Sequence, residues 1–345
     1  MKKILALLLA LVMVLSLAAC ASSQPAAAST ETAETTETTE PAAEESAEAP
    51  AESGKTYTVG VCQLVQHEAL DAATQGFVDA LKEELGDAVT VDVQNASGDS
   101  VNCGTIVNGF VSKGVDLIMA NATPALTAAV SATADIPILG TSITAYGVAL
   151  DIDDFNGTVG GNVSGTSDLA DLQAQAQMIL DWFPETKNVG LLFCSAEPNS
   201  RYQIDEVRKA LEAQGVTCEE FAFTDSNDVS SVTQKAADFS DVVYIPTDNT
   251  AASNTEAIAN VLIPAGVPAV CGEEGLCRGC GVATLSISYY DLGVTTGKMA
   301  AKILKGEADI STMPVEYTDA TPKYNASVCE QLGITPLDGY EAIDG

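Results

Sequence analysis

From Thr58 onward the chain alternates short apolar runs with amphipathic stretches of helical period, and this alternation limits the fold more than any single residue does. Thr58 to Val65 reads as a strand; Ala69 to Leu85 places Leu70, Ala73, Phe77, Ala80 and Leu81 on one helical stripe; Val89 to Val93 reads as a strand again. Ile106 to Lys113 reads as helix, Val115 to Ala120 as a buried strand, Pro124 to Ala132 as helix and Ile136 to Leu139 as strand. After the Gly-rich segment Gly157 to Gly165 the series restarts, with helices over Leu169 to Phe183 and Tyr202 to Gln214 and strands over Val189 to Phe193 and Val216 to Phe221. Val232 to Ala237 is a short helix, Val242 to Ile245 a strand, Asn254 to about Ile263 a helix and Val267 to Cys271 a strand. Val282 to Ile287 reads as a strand and Tyr290 to Leu304 as a helix stopped by Gly306, followed by Met313 to Tyr317 and a short helix near Ala326 to Leu332. Strands alternating with helices of this length imply βαβ units and parallel sheets. The expectation is an α/β protein of two similar halves whose likeness is architectural, since no close sequence repeat accompanies it.

Length and charge narrow the function. The 345 residues allow about two domains with a sizeable core in each. A formal net charge of -33, from 15 Lys+Arg against 48 Asp+Glu, makes nucleic acid and anionic membrane surfaces poor partners for the body of the protein. The single histidine, His67, nearly excludes a His-rich zinc site, and a serine-histidine triad would have to use it without any G-x-S-x-G elbow. These absences argue against an enzyme, and no cofactor or metal is expected. Nine cysteines, Cys20 among them, are spread through a large chain, and several lie in apolar runs.

The amino terminus reads as an address. Met1-Lys2-Lys3 and the apolar Ile4 to Leu15 have the pattern of a secretory signal, closed by Leu17-Ala18-Ala19-Cys20, which resembles the lipobox of bacterial lipoproteins. Lipidation of Cys20 would hold the protein at the outer face of the cell membrane. Residues 21–54 contain Ala, Thr, Glu, Ser and Pro without a large apolar residue, so they are expected to form a disordered tether.

Polar turns follow the strands of both halves. Gln63 and Gln66-His67-Glu68 follow the first strand, Asn121, Thr123 and Pro124 the third, and Thr141, Ser142 and Thr144 the fourth. In the second half Cys194 is followed by Ser195, Glu197, Asn199, Ser200 and Arg201, and Tyr244 by Thr247, Asp248 and Asn249. Any one of these could be plain helix capping. Five at corresponding places point to a ligand site built from both halves at the carboxyl ends of parallel strands. Hydroxyls, amides and helix N-termini suit a carboxylate, while Asp248, Glu197 or Glu273 suits an ammonium, and an α-amino acid carries both groups. Asp248 is the foremost candidate for the ammonium.

The segments Val59-Gly60-Val61-Cys62-Gln63, His67-Glu68-Ala69-Leu70-Asp71, Ala122-Thr123-Pro124-Ala125 and Asn162 to Asp168 carry a resemblance, joined by Ser195 to Ser200, Tyr244 to Asn249 and Tyr289 to Gly293. From Val59 to about Ile334 the chain resembles the substrate-binding lipoproteins of ABC transporters, in the family that includes tryptophan- and tyrosine-binding members. The resemblance implies a type I periplasmic-binding-protein fold, two Rossmann-like lobes with parallel sheets joined by three crossovers near Ala145, Ser288 and Ser311. Residues 55–145 plus 289–310 would then form lobe 1, and 146–288 plus 311–345 lobe 2. It implies a monomer that captures a small ligand, an aromatic amino acid by this similarity, and delivers it to an ABC permease and its ATPase. The rival reading is a sensor that signals through a membrane partner without transport. The expected ligand contacts are Gln63, Asn121, Thr123 and Ser142 from one lobe, and Ser195, Glu197, Asn199, Ser200, Asp248, Asn249 and Glu273 from the other. The chain departs from its relatives at Thr141-Ser142-Ile143-Thr144, where they usually carry Asp-Pro, and at Cys271, Cys277 and Cys280. Those three thiols lack an evident fourth zinc ligand, which leaves a disulfide or free thiols as the expectation.

Overall fold

A computed structural model describes residues 55–343. The signal sequence, Cys20 and the tether of residues 21–54 lie outside the described residues. No described helix is long and apolar enough to cross a membrane.

The first lobe begins β1 (Tyr57–Gln63), α1 (Glu68–Leu85), β2 (Val89–Asn95), α2 (Ser100–Lys113), β3 (Leu117–Asn121), α3 (Thr123–Ala132), β4 (Ile138–Ile143), α4 (Tyr146–Ala149) and β5 (Val163–Ser167). The chain then builds α5 (Leu172–Trp182), β6 (Asn188–Cys194), α6 (Pro198–Glu212), β7 (Thr217–Phe223), α7 (Val229–Phe239), β8 (Val242–Ile245), α8 (Asn249–Ala252) and α9 (Thr255–Ala265). β9 (Ala269–Cys271), α10 (Glu274–Cys280) and β10 (Ala283–Ser286) complete the second run. α11 (Tyr289–Lys305) returns to the first lobe with β11 (Glu316–Tyr317), and β12 (Thr321–Tyr324), α12 (Ala326–Leu332) and β13 (Glu341–Ala342) close the second.

Two sheets result, in the orders β11-β5-β4-β3-β1-β2 and β13-β12-β10-β9-β8-β6-β7. Every pairing is parallel except β10 with β12. Each sheet is covered on both faces, and that is why β3, β4 and β8 are buried along their whole lengths. Helix ends follow local chemistry: Asp99, Asp171, Ser288 and Asn325 accept backbone N–H bonds as N-caps of α2, α5, α11 and α12.

Sheet membership corrects two of the three expected crossings. β5 pairs with β4, so the first crossing lies in residues 168–171 and not near Ala145. β11 pairs with β5 and β12 with β10, so the last crossing lies in residues 318–320 and not near Ser311. The middle one falls between Ser286 and Tyr289. β5 escaped the sequence reading because Val163-Ser164-Gly165-Thr166-Ser167 has a single large apolar residue. Its polar side chains are buried but satisfied: Ser164 donates to Met313 and Pro314 carbonyls, Thr166 bonds Thr141 and Thr296, and Ser167 donates to the Thr144 carbonyl.

α11 lies against α1 at backbone contact. A Cβ on Gly293 would stand 2.0 Å from the Ala73 carbonyl oxygen, and one on Gly76 would stand 2.1 Å from that of Tyr290. The helix that crosses between lobes is therefore seated on the first lobe by two glycines.

Candidate functional site

The carboxyl ends of both sheets face one another, and between them lies a small cavity lined by His67 and Leu70, Ser142 and Thr144, Asp168, Asn199, Thr247 to Asn249, Ala252, Glu273 and Tyr289. Its free space is about 10 Å³, the lower limit for one water-sized group. A larger outer cleft of about 340 Å³, lined in part by Leu64, Val65, Pro124 and Ala196, shares Asn249 with it.

Ser142, Asn199, Asp248, Asn249 and Glu273, all expected from the sequence, line this cavity. Gln63, Asn121, Thr123, Ser195, Glu197 and Ser200 do not, and the first lobe shows why. Gln63 donates to the Val65 carbonyl and to Asp71 Oδ1 at 2.6 Å and accepts from Thr74. Asn121 Nδ2 donates to the Leu70 carbonyl at 2.9 Å and to Thr74 Oγ1 at 3.0 Å, tying β3 to α1, and Thr123 is buried in the first turn of α3. In the second lobe Ser195 donates to the Phe223 carbonyl, and Ser200 is buried beside Asn199. Glu197 accepts from the Asn249 and Thr250 backbone N–H groups, from Asn249 Nδ2 at 2.6 Å and from Thr250 Oγ1 at 2.8 Å. It anchors the start of α8 and lines the outer cleft.

Asp248 is also largely spent, against its expected role. Oδ2 accepts from the Cys194 N–H at 2.6 Å and Oδ1 from the Ala251 N–H at 2.8 Å, so it caps α8 and staples it to β6. Burial, then the neighbouring Glu197, pushes its pKa up to about 8. Glu273 likewise accepts from the Gly275 and Leu276 N–H groups as the N-cap of α10, and burial raises it to about 7. Cys277 and Cys280 accordingly sit on a helix rather than in a loop, and the eight described cysteines are free thiols.

Among the lining residues not expected as contacts is Asp168. It stands on the first crossing, 5% exposed, and Tyr289 from the second crossing donates to its Oδ2 at 2.9 Å. Burial raises its pKa to about 6 against the opposing effect of that hydrogen bond and of Thr144. Thr144 lies beside the carboxyl, but among the described residues no hydrogen bond of sound geometry reaches Asp168 Oδ1. Asn199 Oδ1 and Ser142 Oγ are likewise buried without a partner among the described residues. Ser142 also has φ +55, a left-handed conformation that costs a residue with a Cβ roughly 1 kcal/mol or more. The strain at Ser142 and the unmet polar atoms on three lining residues make this cavity the candidate binding site. The signal for Asp168 was present in Asn162 to Asp168, but a strand weak in apolar residues hid its position.

Polar contacts from the start of α1 join the lobes across the seam. His67, kept neutral by burial, donates through Nε2 to Asn249 Oδ1 at 3.2 Å, since the Asn249 amide nitrogen is spent on Glu197. The next residue, Glu68, pairs with Arg278 of α10 at 3.1 Å.

Two lobes with parallel sheets, three crossings and a buried polar cavity between them define a solute-binding protein of the type I periplasmic class. Residues 58–339 match the ABC transporter substrate binding protein family, and the chain belongs to it. It is 32% identical over 276 residues to a tyrosine-binding protein of Clostridioides difficile (strain R20291), covering 78% of this chain and 79% of that one. An ABC domain from Streptococcus pneumonia in complex with L-Trp is 32% identical with a TM-score of 0.79, covering 84% of this chain and all of that chain (100%). The ligand-free, open structure of a substrate-binding protein with adhesive properties from Clostridium difficile is also 32% identical, covering 84% of this chain and 99% of that one, yet its TM-score is 0.64.

Proposed function

We propose that this protein is the ligand-capturing component of an ABC importer, holding an amino acid, aromatic by likeness to its relatives, in the interlobe cavity for delivery to the permease. The observation that carries the reading is the buried Asp168 carboxylate, which keeps an oxygen without a partner among the described residues in the interlobe cavity and so offers a counter-ion to a ligand ammonium. The tyrosine-binding relative and the L-Trp complex support the ligand class. Lining residues come from both lobes, so a ligand touching both stabilises the shut form, which the permease would recognise. Such work needs no catalysis. Cys20 would carry the lipid anchor on the outer face of the cell membrane, with residues 21–54 as the tether.

Thermal unfolding against a panel of amino acids, sugars and nucleosides tests the ligand class. A ligand at a hundred times its Kd stabilises the folded state by about 2.7 kcal/mol, a readable shift. Stabilisation by tyrosine, tryptophan or phenylalanine supports the reading; stabilisation by sugars or nucleosides alone overturns it. Labelling of growing cells with a radioactive fatty acid should mark the protein and not its Cys20→Ala variant.

A further inference from the structure

We infer that this site selects the ligand's ammonium group and that the ligand's carboxylate is dispensable, so that primary amines with the same side chain but no carboxylate are ligands as well. The inference deepens the amino-acid reading and rests on it for the choice of probes.

The cavity offers three unpartnered polar atoms, Asp168 Oδ1, Asn199 Oδ1 and Ser142 Oγ, on residues that are 5%, 5% and 6% exposed. Two of them can only accept hydrogen bonds, and the third accepts as well as donates. An ammonium has three N–H donors and no acceptor, and it is about the size of the space they surround. One of the three acceptors carries the counter-charge.

A carboxylate needs donors, and among the three unpartnered lining atoms only the Ser142 hydroxyl can donate. None of the lining residues is Lys or Arg. Asn199 Nδ2 is spent on the Thr247 carbonyl and Glu197, Asn249 Nδ2 on Glu197, and His67 Nε2 on Asn249 Oδ1. Even the Thr247 backbone N–H is taken, by Gln203 Oε1. Two further carboxyl groups, Asp248 and Glu273, stand in the same wall, and any negative charge that they carry disfavours another anion. Since Asn249 lines both spaces, the body of a ligand extends past it towards the apolar residues of the outer cleft.

Isothermal titration of the purified protein at neutral pH with tyrosine, tyramine and desamino-tyrosine decides the point. Tyramine should bind within about tenfold of tyrosine, desamino-tyrosine should not bind, and Asp168→Asn should weaken both amines by on the order of a hundredfold or more while still unfolding cooperatively. Tyrosine binding without tyramine, or desamino-tyrosine binding as well as tyrosine, overturns the inference and leaves the proposed function standing. Tyramine binding without any aromatic amino acid does the reverse, and failure of every amine refutes both. Amines bound equally well by Asp168→Asn would also overturn the inference, because their charge would have no partner there.

Discussion

Asp168→Asn should make the ligand-free protein more stable while removing its ligand. Burial raises the Asp168 pKa from 3.8 to about 6. At roughly 1.36 kcal/mol per pH unit, holding that carboxylate ionised costs the fold about 3 kcal/mol. The sign follows from the protons bound in each state. Below pH 3.8 both folded and unfolded chains carry the proton, so this group costs nothing. Between 3.8 and about 6 the unfolded chain releases it while the folded one retains it, and stability falls as pH rises; above about 6 the loss is complete. Asparagine keeps an acceptor for the Tyr289 hydroxyl and never ionises. Equilibrium urea unfolding of both proteins, at a pH just below 3.8 and at neutral pH, should show nearly equal stability in acid and an advantage of about 3 kcal/mol for the variant at neutrality, other carboxylates cancelling in the comparison. A variant no more stable than the parent at neutral pH, or equally shifted at both, would refute the claim that Asp168 is a buried charge kept for binding at the expense of stability.

Three further outcomes are expected. Amine affinity should fall about tenfold per pH unit below about pH 6 as Asp168 takes up its proton, with Asp248, Glu273, His67 and Tyr289 facing the same cavity; a Kd constant across that range by titration calorimetry would exclude Asp168 as the counter-ion. Gly293→Ala should cost roughly 1–3 kcal/mol in thermal unfolding, because its Cβ would meet a backbone oxygen at 2.0 Å, whereas Gly104→Ala in α2, with open space around it, should gain up to about 1 kcal/mol. Glu68→Gln should weaken ligand binding by no more than about fivefold through faster release in stopped-flow traces, since Glu68 is 52% exposed and such pairs are worth about 1 kcal/mol at most; the effect should fade in high salt.

Much of the architecture was legible before any coordinates. β1, α1, β3, β8 and α11 announce themselves by apolar runs and stripes because burial on two faces or one leaves that periodic trace. Hydrogen bonding inside the core leaves no such trace, so β5, the displaced crossings and the position of Asp168 stayed hidden. The site residues divide in the same way. Residue type singled out Gln63, Glu197, Asp248 and Glu273 as groups able to meet a ligand, but not which of their oxygens and amides were already occupied. Each backbone N–H captured by Glu197, Asp248 or Glu273 belongs to a turn that folding brings there, and Gln63 is spent on Asp71 and Thr74.

By itself the sequence determined the α/β class, the two similar halves, the polar turns at strand ends and the acidic character of the protein. The tertiary structure alone decided which polar atoms remain unmet. Asp168 and Tyr289 lie 121 positions apart in the chain, and only the crossing of two hinge segments sets them 2.9 Å apart with one carboxylate oxygen left without a partner among the described residues. Local propensity acts within a few residues, whereas a binding site depends on which hydrogen-bonding groups the packed fold has left without partners.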